Sequence, residues 1–157
     1  MKIRFIINPI SGIGKQKGIE EVIKKHIHFP YEIVYTKKGG DATELSQKAI
    51  SDKVDVVVVV GGDGTVNECA KALIGSSTVM GVIPCGSGNG FSYHIGMKKE
   101  VEQAVKQLNA CDIKMIDSCS ANAIPFVNVS GIGFDAHIAN LFGNVSKRGF
   151  VSYFKLI

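Results

Sequence analysis

Residues 54–68 read VDVVVVVGGDGTVNE, an apolar run that passes through a glycine-rich turn into a helical pattern. The run of valines has the composition of a strand that is buried on both faces of a parallel sheet. A glycine-rich turn between such a strand and a helix is the usual phosphate site of an α/β fold, because main-chain N–H groups face the anion there. Asp63 lies in this turn, and a bare carboxylate would repel a polyphosphate. Its position therefore indicates a Mg²⁺ ion between the two anions, or a base that takes a proton from a hydroxyl nucleophile.

The first 110 residues alternate between predicted strands and predicted helices. Asp41 has the pattern of a helix N-cap, because Glu44 follows it three residues later. Alternation at this spacing predicts an α/β fold, a Rossmann-like, doubly wound parallel sheet with helices on both faces. The predicted strands are 2–7, 31–36, 54–60 and 79–84, and a helix is predicted after each of them, the last near 98–109.

The alternation ends after Leu108, where residues 113–122 and 124–134 predict two strands without a helix between them. We therefore divide the chain into an α/β domain, residues 1–115, and the beginning of a β-rich second domain, residues 116–157.

A helix is predicted from Phe134, and the end of the chain has a second helical pattern that is apolar on one face. Apolar surface without a partner tends to pack against another copy or to stay mobile, so we expect a homodimer or a mobile tail beyond about Gly133. The apolar stripe consists of Phe150, Tyr153, Phe154 and Ile157.

The composition is that of an ordinary globular chain of 157 residues, with 45% hydrophobic and 20% charged residues. The net charge of +4 is too small to indicate a nucleic-acid partner, and the basic residues form no long run. The four cysteines form no C-x-x-C pair and the four histidines no paired-ligand pattern, so we interpret the cysteines as the reduced thiols of a cytoplasmic protein. The longest apolar run is too short to cross a bilayer, so any membrane contact is expected to be peripheral.

Glycine-rich turns follow three of the predicted parallel strands: NPISGIGK at 8–15, GGDGTVNE at 61–68 and PCGSGNG at 84–90. The carboxyl ends of parallel strands lie at one edge of the sheet, where ligands bind near the point at which strand order reverses. Each turn alone is a weak pattern. Together they predict a phosphate-bearing ligand, because glycines let main-chain N–H groups approach anionic oxygens closely. Hydroxyl and ammonium donors are added by Ser11, Lys15, Thr65 and Ser87.

Simpler structural roles stay open for several of these residues. Thr65 to Glu68 matches the capping box T-x-x-E, which only closes a helix N-terminus. Asp63 would bond its own main chain as an ordinary turn residue, and Lys15 would be a solvated lysine. On the functional interpretation, Asn67 and Glu68 lie in the first turn of the helix, within reach of the phosphate pocket.

With NPISG before it and PCGSGNG after it, the segment GGDGTVNE resembles the diacylglycerol kinase catalytic domain family, which includes bacterial lipid kinases, ceramide kinases and sphingosine kinases. The likeness extends to Thr36, to GDAT at 40–43 and to FVNVSGIGFDAHIA at 126–139. Phosphofructokinases and NAD kinases share the GGDG turn, but in NAD kinases the Asn-Glu pair comes well downstream. The resemblance implies a two-domain kinase that uses ATP and Mg²⁺, with an NAD kinase-like nucleotide-binding domain and an active site between the domains.

The resemblance also implies roles for individual residues. Asp63 matches the aspartate that is the proposed base for the lipid hydroxyl in sphingosine kinases, and it is the candidate Mg²⁺ ligand. Asp135 matches the aspartate of the family's GFDA segment, which is linked to the Mg²⁺ network or to the lipid headgroup. These two aspartates are the catalytic candidates. The candidate nucleotide-binding residues are Asn8, Ser11, Gly12, Lys15, Thr36, Gly62, Asp63, Gly64, Thr65, Asn67, Glu68, Ser87, Gly88 and Asn89.

The third glycine-rich turn departs from the bacterial diacylglycerol kinases, which usually read G-T-x-N-D. Residues 86–90 read GSGNG, which is nearer to the G-S-G-N of sphingosine and ceramide kinases. The resemblance therefore implies a lipid kinase fragment that transfers the γ-phosphate of ATP to a lipid hydroxyl at a membrane surface, such as that of diacylglycerol or a sphingoid base. The alternatives are a kinase of another small hydroxyl, as in NAD kinases, and a nucleotide-binding module without catalysis.

The 157 residues correspond to about half of a typical family member. Bacterial relatives place a further catalytic aspartate in the β-rich second domain, and no residue of this sequence matches it. The chain alone is therefore expected not to phosphorylate lipid.

Overall fold

The computed structural model describes residues 1–11, 16, 18–110 and 112–143. The strands of its central sheet are β1 Ile3–Ile7, β2 Tyr31–Tyr35, β3 Val56–Gly61 and β4 Val79–Pro84. They are all parallel and lie in the order β2-β1-β3-β4. The valine-rich run forms the interior strand β3, in which residues 57–60 are buried. The strands predicted for the first 110 residues are therefore all present.

Helices cover both faces of this sheet. They are α1 Ile19–His26, α2 Asp41–Ser51, α3 Asp63–Leu73, α4 Gly90–His94 and α5 Val101–Leu108. The helices α1 and α5 pack on the face that carries Phe5 and Ile7 of β1, whereas α2, α3 and α4 pack on the face that carries Ile6. Successive side chains of a strand point to opposite faces, so alternate residues of the same strands build the two apolar layers. The doubly wound α/β fold predicted from the sequence is confirmed.

After α5 the chain forms a short antiparallel hairpin and a further helix. The strands β5 Cys119–Ala121 and β6 Ile124–Phe126 pair with each other, and α6 spans Phe134–Gly143, as predicted. The hairpin is much shorter than the two strands expected from the sequence, because residues 112–118 are exposed and belong to no strand.

Two sequence-based expectations for this region remain untested. The division of the chain between residues 115 and 116 stays a prediction. The apolar stripe Phe150, Tyr153, Phe154 and Ile157 lies outside the described residues.

Two features of the helices differ from the predictions. The N-cap of α2 is Gly40, with a φ of 89°, and not Asp41, which is the first helical residue. The Asp41 carboxylate instead accepts the N–H groups of Lys37 and Lys38, at 2.7 and 3.1 Å, and closes the preceding turn. The left-handed backbone that glycine adopts readily moves the cap by one residue. The sequence did not predict α4, because five residues are too few to show a helical apolar period.

The strand order defines one special edge of the sheet. The chain passes from β1 to β2 on one side and later places β3 on the other side of β1. The carboxyl ends of β1 and β3 therefore flank the point where strand order reverses, which is where α/β folds bind ligands. Asn8, the residue after β1, joins the ends of these two strands, because its N–H donates to the Val60 carbonyl of β3 at 2.9 Å.

Cys69, Cys85 and Cys119 form no disulfide in the described part of the chain, and Cys111 lies outside it. Burial raises the pKa of the Cys69 thiol to about 12, so this thiol stays protonated at neutral pH. Within the described part of the chain, no helix is both long and apolar enough to span a bilayer.

Candidate active site

The first and second glycine-rich turns meet where strand order reverses. Asn8 links them, because its Nδ2 donates to the hydroxyl of Thr65 at 3.0 Å while its Oδ1 accepts the N–H of Ile10 at 3.1 Å. Thr36 joins the same edge from β2, since its N–H donates to the Ile7 carbonyl at 3.0 Å. Candidate residues from three separate segments are thus brought together, as the parallel arrangement of the strands predicts.

The first turn is described only in part. Ser11 is buried, and its N–H donates to the Asn8 carbonyl at 3.3 Å. Gly12 and Lys15 lie outside the described residues. Their place beside the phosphates stays a prediction from the sequence.

The second and third turns touch each other main chain to main chain. A Cβ atom on Gly86 would lie 2.4 Å from the Cα of Gly62 and 2.9 Å from the Oδ1 of Asn89. Non-bonded carbon atoms do not approach so closely, so the two turns meet only because residue 86 is glycine. A Cβ on Gly61 would lie 2.8 Å from the Oγ1 of Thr65, so this glycine makes room for the buried threonine.

Asn89 shapes the third turn. It is 2% exposed and has a φ of 64°, a left-handed conformation that asparagine tolerates better than most residues. Its side chain bonds both main-chain groups of Gly86, because Oδ1 accepts the N–H and Nδ2 donates to the carbonyl, each at 2.7 Å. The turn is closed on itself, and Ser87 and Gly88 are left exposed at the edge of the sheet.

Asp63 connects the second turn to the third. Its Oδ2 accepts the N–H of Asn89 at 2.8 Å and its Oδ1 accepts the N–H of Phe91 at 3.3 Å. These donors lie at the N-terminus of α4, where N–H groups have no partner within the helix. Asp63 therefore caps a neighbouring helix, and the alternative of a turn residue that bonds its own main chain is wrong. The residue is exposed, so its carboxylate has room for a cation or a hydroxyl.

The capping box that the T-x-x-E pattern left open at Thr65 is absent. The N-cap of α3 is Gly62, and no side chain caps this helix. Because the helix begins at Asp63, the Thr65 hydroxyl is free to accept the bond from Asn8. The helix thus begins two residues before Thr65, and Gly62, in extended backbone, is its N-cap.

Asn67 and Glu68 lie in the second turn of α3, not in its first turn. The Oε2 of Glu68 accepts the N–H of Gly40 at 3.1 Å. The Oδ1 of Asn67 accepts the N–H of Val127, the residue after β6, at 3.4 Å. Both side chains therefore bond main-chain groups of segments outside the glycine-rich turns.

A cavity of about 560 Å³ adjoins Asp63. The helices α3 and α4 line one side, and the segment that follows β6 lines the other. The sequence predicted a strand in this segment but no cavity beside it, because residues from distant parts of the chain share no period. The apolar lining consists of Val66, Phe91, Phe126, Val127 and Val129.

Asp63 is a suitable single ligand for a divalent cation. No cluster of three or more His, Cys, Asp or Glu side chains that could hold a metal occurs in the described ranges. Mg²⁺ commonly takes one or two protein carboxylates and completes its shell with phosphate oxygens and water, so one carboxylate beside the glycine-rich turns would suit this ion. Asp135 lies on α6, and its side chain is outside the described part of the structure.

The diacylglycerol kinase catalytic domain family matches residues 2–121 of this chain. A diacylglycerol kinase of Bacillus subtilis is 33% identical over 140 residues, which cover 84% of this chain and 46% of the relative. Sphingoid long-chain bases kinase 1 of Arabidopsis thaliana is 30% identical over 98% of this chain and 22% of the relative.

Among solved structures, the crystal structure of a diacylglycerol kinase from Bacillus anthracis matches with a TM-score of 0.69 and 33% identity. The match covers 81% of this chain and 48% of that one. The chain thus spans about half the length of these bacterial relatives and 22% of the length of the plant kinase.

Proposed function

Since the chain belongs to the diacylglycerol kinase catalytic domain family, we propose that it is the nucleotide-binding part of an ATP-dependent lipid kinase. One observation carries the proposal. Asp63 lies between the edge formed by the glycine-rich turns and an apolar cavity of about 560 Å³. The edge suits the phosphates of a nucleotide and the cavity suits an apolar acceptor, so a γ-phosphate and a hydroxyl would meet at this carboxylate.

We place ATP against the carboxyl edge of the sheet. The helix α3 begins at this edge, so its N-terminal N–H groups and its dipole favour an anion there. Asn67 and Glu68 are proposed to stand beside this site rather than on the nucleotide, because their side chains bond Val127 and Gly40, which lie outside the glycine-rich turns. The proposed nucleotide contacts are Asn8, Ser11, Gly12, Lys15, Thr36, Gly62, Asp63, Gly64, Thr65, Ser87, Gly88 and Asn89.

The proposed reaction is an in-line phosphoryl transfer. The lipid hydroxyl oxygen bonds to the γ-phosphorus, the bond from that phosphorus to the β–γ bridging oxygen breaks, and ADP leaves. The hydroxyl proton passes to the Asp63 carboxylate or to a base outside this chain. Main-chain donors of the glycine-rich turns offset the charge on the transferring group. Mg²⁺, when bound, neutralises phosphate charge, with Asp63 as its protein ligand and Asp135 as the second catalytic candidate.

The acceptor is proposed to be a lipid such as diacylglycerol or a sphingoid base, reached by peripheral contact of a cytoplasmic protein with a membrane surface. The apolar cavity supports a lipid over a polar acceptor. Apolar side chains near the hairpin are strongly exposed, with Ile113 at 71%, Met115 at 97% and Ile132 at 93%. Such a surface supports a β-rich second domain that begins near residue 116 and would cover it, or a homodimer.

Calorimetry with ATP, with and without Mg²⁺, tests the nucleotide half of the proposal. We expect weak binding that Mg²⁺ improves, because the exposed Asp63 carboxylate lies among the donor turns and repels phosphate unless a cation separates them. Equal affinity in both conditions would contradict the metal-bridging role. No binding in either condition would contradict the nucleotide site itself.

Transfer of labelled phosphate from ATP tests the acceptor half. Vesicles with diacylglycerol or sphingosine, and soluble NAD, are offered to this chain and to a fusion in which the remaining residues of the Bacillus subtilis relative follow it. We expect no transfer by the chain alone and lipid labelling by the fusion. Labelled NAD would support the kinase of a small hydroxyl, and ATP binding without any transfer would support a nucleotide-binding module.

A further inference from the structure

We propose that Asn67 and Glu68 are positioning residues that hold two outlying segments in place around the glycine-rich turn, and that neither contacts the nucleotide. Glu68 holds the turn between β2 and α2, and Asn67 holds the wall of the acceptor cavity at Val127. The inference rests on the proposed function in one respect: the cavity is taken as the acceptor site.

The Glu68 contact fixes the turn that follows Thr36. The Oε2 of Glu68 accepts the Gly40 N–H at 3.1 Å, and the main-chain carbonyl of Glu68 accepts the hydroxyl of Thr43 at 2.9 Å. Asp41 closes the same turn from its other end, by accepting the N–H groups of Lys37 and Lys38. Two carboxylates and one hydroxyl thus determine the path of the chain directly after Thr36.

The Asn67 contact fixes the cavity wall. Asn67 and Val127 both line the cavity, and the Asn67 Oδ1 accepts the Val127 N–H at 3.4 Å. Asp63 and Asn67 are four residues apart on α3, so they lie on one face of the helix with Cβ atoms about 5–6 Å apart. Asn67 therefore places the wall at Val127 one helical turn from the carboxylate at which the acceptor hydroxyl would react.

The two possible roles of Asn67 use different atoms of its side chain. A positioning role uses the carbonyl oxygen as an acceptor, whereas a phosphate ligand would use the amide nitrogen as a donor. Aspartate in this place keeps the acceptor and removes the donor. It would therefore keep a positioning role and destroy a phosphate contact, because a carboxylate repels phosphate.

The experiment compares Asn67→Asp and Asn67→Ala in the 157-residue chain, with amide hydrogen exchange at Val127 and ATP affinity as the measurements. For Asn67→Ala we expect exchange at Val127 to rise about fivefold, the effect of losing one ordinary hydrogen bond, with ATP affinity unchanged within about threefold. For Asn67→Asp we expect protection at Val127 to persist and ATP affinity to stay within the same range. A loss of ATP affinity above about thirtyfold in Asn67→Asp, as a lost charge-assisted contact would give, would overturn the proposal.

Glu68→Gln and Glu68→Ala give the matching comparison at the Gly40 amide. Glutamine keeps an acceptor oxygen, so we expect it to retain protection at Gly40, whereas alanine loses it. Lys71→Ala, an exposed change on the same helix, is the control and is expected to alter neither amide. Unchanged exchange at Val127 in Asn67→Ala, or at Gly40 in Glu68→Ala, would refute the corresponding contact.

The exchange measurements do not need phosphoryl transfer, so they test the contacts of Asn67 with Val127 and of Glu68 with Gly40 even if the chain binds no ATP. Failure of the wild-type chain to bind ATP would count against the proposed function and not against the contacts. Thermal unfolding of each variant shows whether it folds. If Asn67→Ala does not fold, Asn67→Asp alone decides, because the positioning role predicts an unchanged ATP affinity and a phosphate contact predicts a loss of affinity.

Discussion

Replacing Gly86 by alanine tests whether the second and third turns form one rigid phosphate-binding edge. The added Cβ would lie 2.4 Å from the Cα of Gly62 and 2.9 Å from the Oδ1 of Asn89. Ordinary carbon–carbon contacts begin near 3.5 Å, so the two turns have to move apart by about 1 Å. The neighbouring atom on Gly62 is main chain, and it therefore cannot rotate away as a flexible side chain would.

The expected loss of stability follows from that displacement. Forcing an extra carbon into a packed contact costs about 1–3 kcal/mol. The same movement strains the paired bonds between Asn89 and Gly86 and the bond from Asn89 to Asp63. We expect ATP affinity to fall about tenfold or more, since at least one main-chain donor to phosphate is displaced.

Urea unfolding and calorimetry with Mg-ATP measure the two effects of Gly86→Ala. Gly39→Ala is the matched control, because a Cβ there has no neighbour within 4 Å and the backbone is not left-handed. It should leave stability and ATP affinity close to those of the unchanged chain. A Gly86→Ala protein with wild-type stability and wild-type ATP affinity would refute the close approach of the two turns.

Three further outcomes are expected. In the fusion that carries a second domain, Asp63→Asn should raise the activation free energy of turnover by about 3 kcal/mol or more and so lower kcat, because one main electrostatic or acid–base group is lost. A kcat above about a tenth of the wild-type value would show that Asp63 acts only as a cap. Lys106 and His26 lower the pKa of the Glu102 carboxyl from 4.5 to about 2. The contribution of the ionised Glu102 to stability is therefore complete above about pH 4.5 and is lost as the pH falls toward 2. The Glu102→Gln variant should lose part of this pH dependence of unfolding, and an acid-unfolding profile equal to that of the wild type would contradict the lowered pKa. At pH 8 iodoacetamide should modify the exposed Cys119 and spare Cys69, because burial raises the pKa of the Cys69 thiol to about 12. Mass spectrometry after partial labelling shows which cysteine reacts first, and equal labelling of both would contradict the prediction.

The sheet could be predicted from the sequence because its evidence is local. The valine run of β3 and the apolar alternation of β2 each lie within one segment, and the helices between them show a helical period. Parallel strands then bring the three glycine-rich turns to one edge whatever the details of each turn. The common position of Asn8, Thr36 and Thr65 follows from this rule alone.

The helix caps could not be predicted in the same way. Gly40 and Gly62 each serve as an N-cap without a side-chain bond, while Asp41 and Thr65, the residues with good capping side chains, bond elsewhere. Gly40 has a left-handed backbone that other residues avoid, whereas Gly62 is extended, as any residue can be. In both cases no capping side chain marks the start of the helix. The contact between Gly62 and Gly86 could not be predicted from the sequence either, because it depends on the spacing of two loops and not on any residue pattern.

Asp63 shows how the chemical and the structural interpretations of one residue combine. The sequence suggests a carboxylate that needs a cation or a hydroxyl nearby, and the structure adds that the same carboxylate holds the N-terminus of α4 through Asn89 and Phe91. The group proposed to meet the γ-phosphate is therefore also the group that orders the third turn around it. Asparagine keeps one acceptor oxygen where aspartate has two, so a loss of turnover in Asp63→Asn combines lost charge with a loosened turn. The amide shifts of Asn89 and Phe91 separate these causes: unchanged shifts together with lost turnover would assign the loss to the charge, since the turn would then be intact.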